Sequence, residues 1–225
     1  MKVDFFIVGA PKAGTTSLCH YLNEHPEIVM SRQKETDFFS DESLRKQGLY
    51  YGKNRVDKIE KYHNLFPTLQ EKKYGEASVS YLFYEDVPKK IKEYNSNGKI
   101  IIMLRNPVER AFSHYLMDYR LGLIIPPLEE FFERKLNNKK SKLFYQQYIE
   151  LGLYFEQVKR YLDTFGSENI HIIFYQDFKN DIEGVIKKVY HFLGVDNSFK
   201  PGVEKKHNTF SRSKNNLIRI VYSFV

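Results

Sequence analysis

A single cysteine, Cys19, stands in 225 residues. No disulfide can close within such a chain, so a disulfide-stapled scaffold is excluded. No apolar run approaches the ~20 residues that a membrane-crossing helix needs. No basic segment precedes the first apolar run, which is short and ends in a glycine turn, so it reads as a core strand and not as a signal peptide. Zinc-ligand spacing, an RNA-binding aromatic signature and an arginine-rich arm are all missing, which argues against a nucleic-acid partner. The sequence has no internal repeat and no low-complexity segment. Together these absences predict a reducing, cytoplasmic setting. Cys19 falls early in a helix on its inward side and is expected to be a buried structural thiol.

What is present is a globular composition: 42% hydrophobic and 16% aromatic residues. The length suits one domain, residues 1–225, with a sizeable core. Lysine and arginine outnumber the acids 35 to 28, a formal charge of +7, which suits a polyanionic ligand. The lysines are scattered along helical stretches as solvated faces. Apolar runs at Val3–Val8, Ile28–Met30, Lys99–Leu104 and Ile170–Phe174 predict strands. Helical spacing is read over Gly14–Glu24, Arg55–Phe66, Pro88–Tyr94 and Val108–Arg120. It also covers Leu128–Phe165, with breaks at Asn137-Asn138 and Gly152, and Asn216–Phe224. Ser40–Gly52 is expected to be a polar surface excursion, and His63 a surface histidine. Strands alternating with helices imply right-handed crossovers. The expected fold is therefore a single α/β domain, a central parallel sheet flanked by helices.

Two clusters suggest chemistry. The first is Phe5 to Leu18, FFIVGAPKAGTTSL. An apolar strand ends in glycine, a lysine-bearing turn follows, and Gly14-Thr15-Thr16-Ser17 opens a helix. The first N–H groups of a helix lack intrahelical acceptors, and the dipole adds partial positive charge. Lys12 adds a full charge and three hydroxyls add donors, so a phosphate or sulfate group fits. The spacing from Gly9 to Gly14 matches a nucleotide-triphosphate P-loop, but Thr15 stands where that motif has its lysine. The second cluster is Arg105-Asn106-Pro107-Val108-Glu109-Arg110-Ala111-Phe112-Ser113, again a strand end opening a helix. Pro107 suits a first helical turn. Arg105 and Ser113 can converge on a second anionic group, while Glu109 and Arg110 suit a surface salt-bridge face.

PKAGTTSL followed by RNPVERAFSHY resembles the two nucleotide-binding motifs of the sulfotransferases, which use 3′-phosphoadenosine 5′-phosphosulfate (PAPS) as donor. The resemblance assigns the 5′-phosphosulfate to Lys12, Ala13, Gly14, Thr15, Thr16 and Ser17, and the 3′-phosphate to Arg105 and Ser113. Phe174-Tyr175-Gln176-Asp177-Phe178, with Phe192-Leu193-Gly194 after it, is similar to a third family segment and makes Tyr175 a donor contact. Gln176 departs from the family's usual glutamate. Phe210 and Arg212 match a later segment that closes over the donor. Lys34-Glu35-Thr36-Asp37-Phe38-Phe39 and Gly75-Glu76-Ala77-Ser78-Val79-Ser80-Tyr81 resemble segments of the glycan (heparan-sulfate-type) and bacterial branch. Val79 replaces a usual proline, and Ala77 stands where some members carry lysine. For a branch whose eukaryotic members usually carry an anchor, a chain without one suggests a bacterial-type enzyme or an excised, C-terminally truncated domain.

The resemblance implies in-line sulfuryl transfer to a hydroxyl or amine, with the acceptor a polysaccharide, a glycolipid or a smaller alcohol. Lys12 would meet charge at the bridging oxygen and Glu35 would take the acceptor proton, with Glu76 its rival. No metal has an assigned task, and the oligomeric state is left open. Two other readings remain: a magnesium-dependent P-loop kinase, and a non-catalytic module that holds an adenine nucleotide.

Overall fold

The computed structural model describes residues 2–47, 56–69, 72–122 and 139–202. Phe210, Arg212 and the expected final helix lie outside the described residues. Five strands form one parallel sheet: β1 (Phe5–Gly9), β2 (Ile28–Met30), β3 (Lys73–Ala77), β4 (Lys99–Leu104) and β5 (Ile170–Phe174). Their order is β2-β3-β1-β4-β5. Phe5, Phe6, Ile7 and Val8 of the middle strand, and Ile100 to Met103 beside it, have no exposed surface. A parallel strand covered on both faces must be apolar throughout, which is why these segments read as unbroken runs. Each such side chain stabilises the fold by roughly 1.5–3 kcal/mol. The α/β expectation holds.

Nine helices are described: α1 (Thr15–Asn23), α2 (Asp41–Gln47), α3 (Ile59–His63), α4 (Val87–Tyr94), α5 (Pro107–Arg120), α6 (Lys139–Tyr148), α7 (Tyr154–Phe165), α8 (Tyr175–Asn180) and α9 (Ile182–Leu193). The described residues fall into two compact units. One comprises 2–105 and 154–202, and the other 106–122 and 139–153. The first holds the sheet. There α1 buries Leu18, Tyr21 and Leu22, spaced at three and four residues as an inward stripe requires. Tyr190 of α9 donates its hydroxyl to the Tyr21 carbonyl at 3.4 Å. Gly75 of β3 admits the Phe5 ring of β1, which a Cβ at that position would meet at 2.1 Å.

Three expectations need correction. The polar stretch after Ser40 is not an irregular excursion over its described part: it forms α2, supported by Arg45–Asp41 and Lys46–Glu42 pairs one helical turn apart. His63 is not a surface histidine. It is half-buried, its Nε2 lies 3.1 Å from the Tyr94 hydroxyl, and burial lowers its pKa. Arg110 is not on a surface face either. It is fully buried in the second unit. Its Nη2 donates to the carbonyls of Gln147 (2.8 Å) and Tyr148 (2.6 Å) at the C-terminal end of α6, where the helix dipole favours a cation.

Candidate active site

The turn from β1 to α1 sets a lysine beside a helix N-terminus. Lys12 and Gly14 lie in the left-handed region, with φ of 67° and 95°. That conformation costs a lysine about 1–2 kcal/mol, so the surroundings must hold it. They do: Ala10 donates its N–H to the Met103 carbonyl of β4 at 2.6 Å, and Leu82 donates to the Val8 carbonyl at 2.8 Å. No side chain caps α1, whose N-cap residue is Gly14. The N–H groups of Thr15, Thr16 and Ser17 therefore form the positive end of a nine-residue helix.

Arg105 follows β4. Its guanidinium lies over the Tyr175 ring at 4.5 Å, and its Nη1 donates to the Lys12 carbonyl at 3.3 Å. The Tyr154 hydroxyl holds the Arg105 carbonyl at 2.9 Å. Tyr175 itself abuts the turn, since a Cβ on Gly14 would stand 3.1 Å from its ring. The structure thus brings the Lys12 turn, Arg105 and Tyr175 together beyond the carboxyl ends of β1, β4 and β5. The chain crosses from β3 over β1 to β4 at this point, and such reversals in an open parallel sheet form ligand crevices. Ser113, half-buried on α5, belongs to the second unit.

The other flank of β1 carries the carboxylates. Glu35 and Asp37 both adopt positive φ, 59° and 52°. The Glu35 N–H donates to the Ala77 carbonyl at 2.9 Å. Its Oε1 pairs with Lys34 and its Oε2 accepts the Val79 N–H at 2.8 Å. The Glu35 side chain is 35% exposed, whereas Glu76 is 0% exposed. Cys19 on α1 feels the charges of Lys34, Glu35 and Glu76, which puts this loop beside α1. Cys19 is half-buried and not fully buried as expected, yet desolvation pushes its thiol up to about 11, so it is a poor nucleophile at neutral pH.

Glu76, on β3 opposite Phe6 of β1, is ringed by hydroxyls. It accepts from Thr36 Oγ1 at 2.9 Å, from Ser78 Oγ, and from the Tyr62 hydroxyl at 3.3 Å. Burial raises its pKa to about 7 although the hydrogen bonds from Ser78 and Thr36 favour the ionised form. Asp37 is likewise pushed up, to about 6, mainly by burial and against a 2.5 Å hydrogen bond from Ser80 Oγ. Sequence reasoning passed over Asp37 and the hydroxyl ring. The one available signal was a polar stripe of period two, Glu76, Ser78 and Ser80, leaving an otherwise buried strand.

Comparison with known proteins bears on the family and the fold. A family model described as "Sulfotransferase domain" matches residues 2–221. The chain is 28% identical to mouse (Mus musculus) heparan sulfate glucosamine 3-O-sulfotransferase 3A1, over 92% of this chain and 49% of that protein. It is 25% identical to the membrane-associated sulfotransferase kil1 of Dictyostelium discoideum, over 93% of this chain and 60% of that protein. It therefore spans between half and three fifths of the length of these relatives. A crystal structure of a sulfotransferase from Alicyclobacillus acidocaldarius superposes with a TM-score of 0.80 at 33% identity, covering 92% of this chain and 87% of that one.

Proposed function

The chain belongs to the sulfotransferase domain family, and we propose that it moves a sulfuryl group from PAPS to a hydroxyl or amine of a glycan acceptor. One observation supports the donor most: two cationic elements, the Lys12 turn at the start of α1 and Arg105 stacked on Tyr175, lie in direct contact at 3.3 Å. A nucleotide with anionic groups at both its 5′ and 3′ positions suits such a pair. The N–H groups and hydroxyls of Thr15, Thr16 and Ser17 would hold the 5′ end, and Arg105 the 3′-phosphate. A P-loop kinase is less well supported, because Lys12 lies inside the turn and Thr15 takes the lysine position of that motif.

The donor supplies an activated sulfuryl group, and the protein's task is positioning and charge stabilisation. By analogy with phosphoryl transfer, a loose transition state places charge on the leaving oxygens. Lys12 and the positive end of α1 meet that charge with fixed groups. Glu35 is the better base of the two carboxylates, since it is reachable from solvent and Glu76 is not. The glycan acceptor rests on the likeness to a heparan sulfate glucosamine 3-O-sulfotransferase and on the +7 charge of this chain. The test is calorimetry with adenosine 3′,5′-bisphosphate, with and without EDTA, followed by sulfuryl transfer from labelled PAPS to a panel of glycans, glycolipids and small alcohols. Metal-independent binding and transfer to a glycan are expected. A preference for ATP, or binding that requires magnesium, refutes the assignment.

A further inference from the structure

We propose that Glu76 is a positioning residue: with Thr36 and Ser78 it holds the turn that presents Glu35 to the acceptor. The inference rests on the reading of Glu35 as base and adds the element that fixes it. The Glu35 turn is unusual in having two non-glycine residues with positive φ, Glu35 and Asp37, on either side of Thr36. Such a conformation persists only where its surroundings over-determine it. Here the restraints converge on one carboxylate.

Thr36 points inward between the two, is 4% exposed, and donates its hydroxyl to Glu76 Oε1 at 2.9 Å. The Asp37 N–H donates to Ser78 Oγ at 3.0 Å, and that hydroxyl in turn donates to the same Oε1. The Tyr81 hydroxyl lies 3.1 Å from Thr36 Oγ1 and accepts the Phe39 N–H at 3.3 Å, extending the tie to the end of the segment. One oxygen of Glu76 therefore anchors Thr36 directly and the Asp37 backbone N–H through Ser78. Glu35 is left with its backbone on Ala77 and its carboxylate on the Val79 N–H. Glu76 itself has no exposed surface and cannot reach an acceptor. Both hydrogen bonds to the turn need only an acceptor at Oε1, which the carbonyl oxygen of a glutamine also supplies.

This logic sets the test. Glu76→Gln keeps the acceptor and should retain kcat within about threefold of the parent chain, although the ionisable group is gone. Thr36→Val and Ser78→Ala each remove one tie and should lower kcat about 10- to 100-fold, the scale of a small misplacement of a reacting group. Their affinity for adenosine 3′,5′-bisphosphate should stay unchanged, since the donor turn is a separate element. In a Glu35→Gln background, which should itself be strongly impaired, Thr36→Val should have no further effect. A folded but inactive Glu76→Gln overturns the proposal and makes Glu76 a proton acceptor. An impaired Glu35→Gln beside a fully active Thr36→Val overturns the positioning role alone, and so does a Thr36→Val loss that multiplies with that of Glu35→Gln. A fully active Glu35→Gln removes the base assignment, and the proposal with it. If Glu76→Gln does not fold, the Thr36 and Ser78 variants decide by the same criteria.

Discussion

Replacing Arg105 with alanine should separate the two halves of the donor site. The substitution removes a guanidinium that lies 4.5 Å over Tyr175 and donates to the Lys12 carbonyl at 3.3 Å. A hydrogen bond to a charged group contributes about 1.5–3 kcal/mol. At about 1.4 kcal/mol per tenfold, the bisphosphate should bind roughly 10- to 150-fold more weakly. The fold should lose stability too, since the cation–π contact, about 0.5–1 kcal/mol at a partly exposed site, goes together with the hydrogen bond to the Lys12 carbonyl, and Tm should fall by at least about 1–4 °C. The assay is calorimetry at one fixed salt concentration with two ligands, adenosine 3′,5′-bisphosphate and adenosine 5′-phosphate. The parent chain should prefer the first, and Arg105→Ala should lose that preference while its affinity for the second hardly changes. Arg105→Lys keeps a charge but not the planar fork, and should fall between them. Equal weakening toward both ligands would refute the reasoning, because it would mean that Arg105 supports the Lys12 turn and not a 3′-phosphate. Unchanged affinity for the bisphosphate would refute it as well.

Lys12→Ala should lower kcat about 10²–10³-fold, as expected for loss of one group that stabilises developing charge, with a much smaller change in bisphosphate affinity by calorimetry. Gly14→Ala should weaken binding of the bisphosphate and lower Tm, since φ there is 95° and the added methyl would press on the Tyr175 ring at 3.1 Å. The buried Glu76 should leave a mark on stability against pH. Its folded pKa is raised from 4.5 to about 7, so the folded state holds the proton more tightly, and the protein loses stability as pH rises from about 4.5 to 7. The parent chain should therefore lose on the order of 3 kcal/mol relative to Glu76→Gln across that window, at 1.36 kcal/mol per unit. Urea unfolding of both proteins at pH 5 and pH 8 measures it, and a difference that stays constant with pH would refute the shift.

The sheet and the turn between β1 and α1 were legible because their signals are local. Val3–Val8 and Lys99–Leu104 are continuous apolar runs, and the glycines, lysine and hydroxyls between β1 and α1 stand next to one another in the sequence. Gly75, Glu76 and Ala77 carry no such signal. They form a buried strand because Phe5 lies across the glycine and three hydroxyls receive the carboxylate, partners mostly far off in the sequence, with Thr36 already 40 residues away. Arg110 was misjudged for the same reason, since the carbonyls that accept from it belong to residues 37 and 38 positions later. For α2, a charged composition suggested solvent and irregular chain, and helical pairing of those same charges supplied the regular structure instead. Polar residues state their chemistry in the sequence, but burial is settled by partners that the local pattern does not contain.

The order of the strands also bears on how this protein comes off the ribosome. The middle strand, β1, has neighbours on both sides that arrive late: Phe5 pairs with Gly75 and with Lys99. At synthesis rates of about 5–20 residues per second, the apolar segment Phe5–Val8 emerges and waits on the order of 4–14 s for its first partner. Among the described residues no hairpin shields it in the meantime, because every strand pairing there is parallel and joins distant segments. The segment that ends in the Lys12 turn is thus the described strand that a nascent-chain chaperone has most time to meet. Sheet closure around it is the step that translation speed should govern.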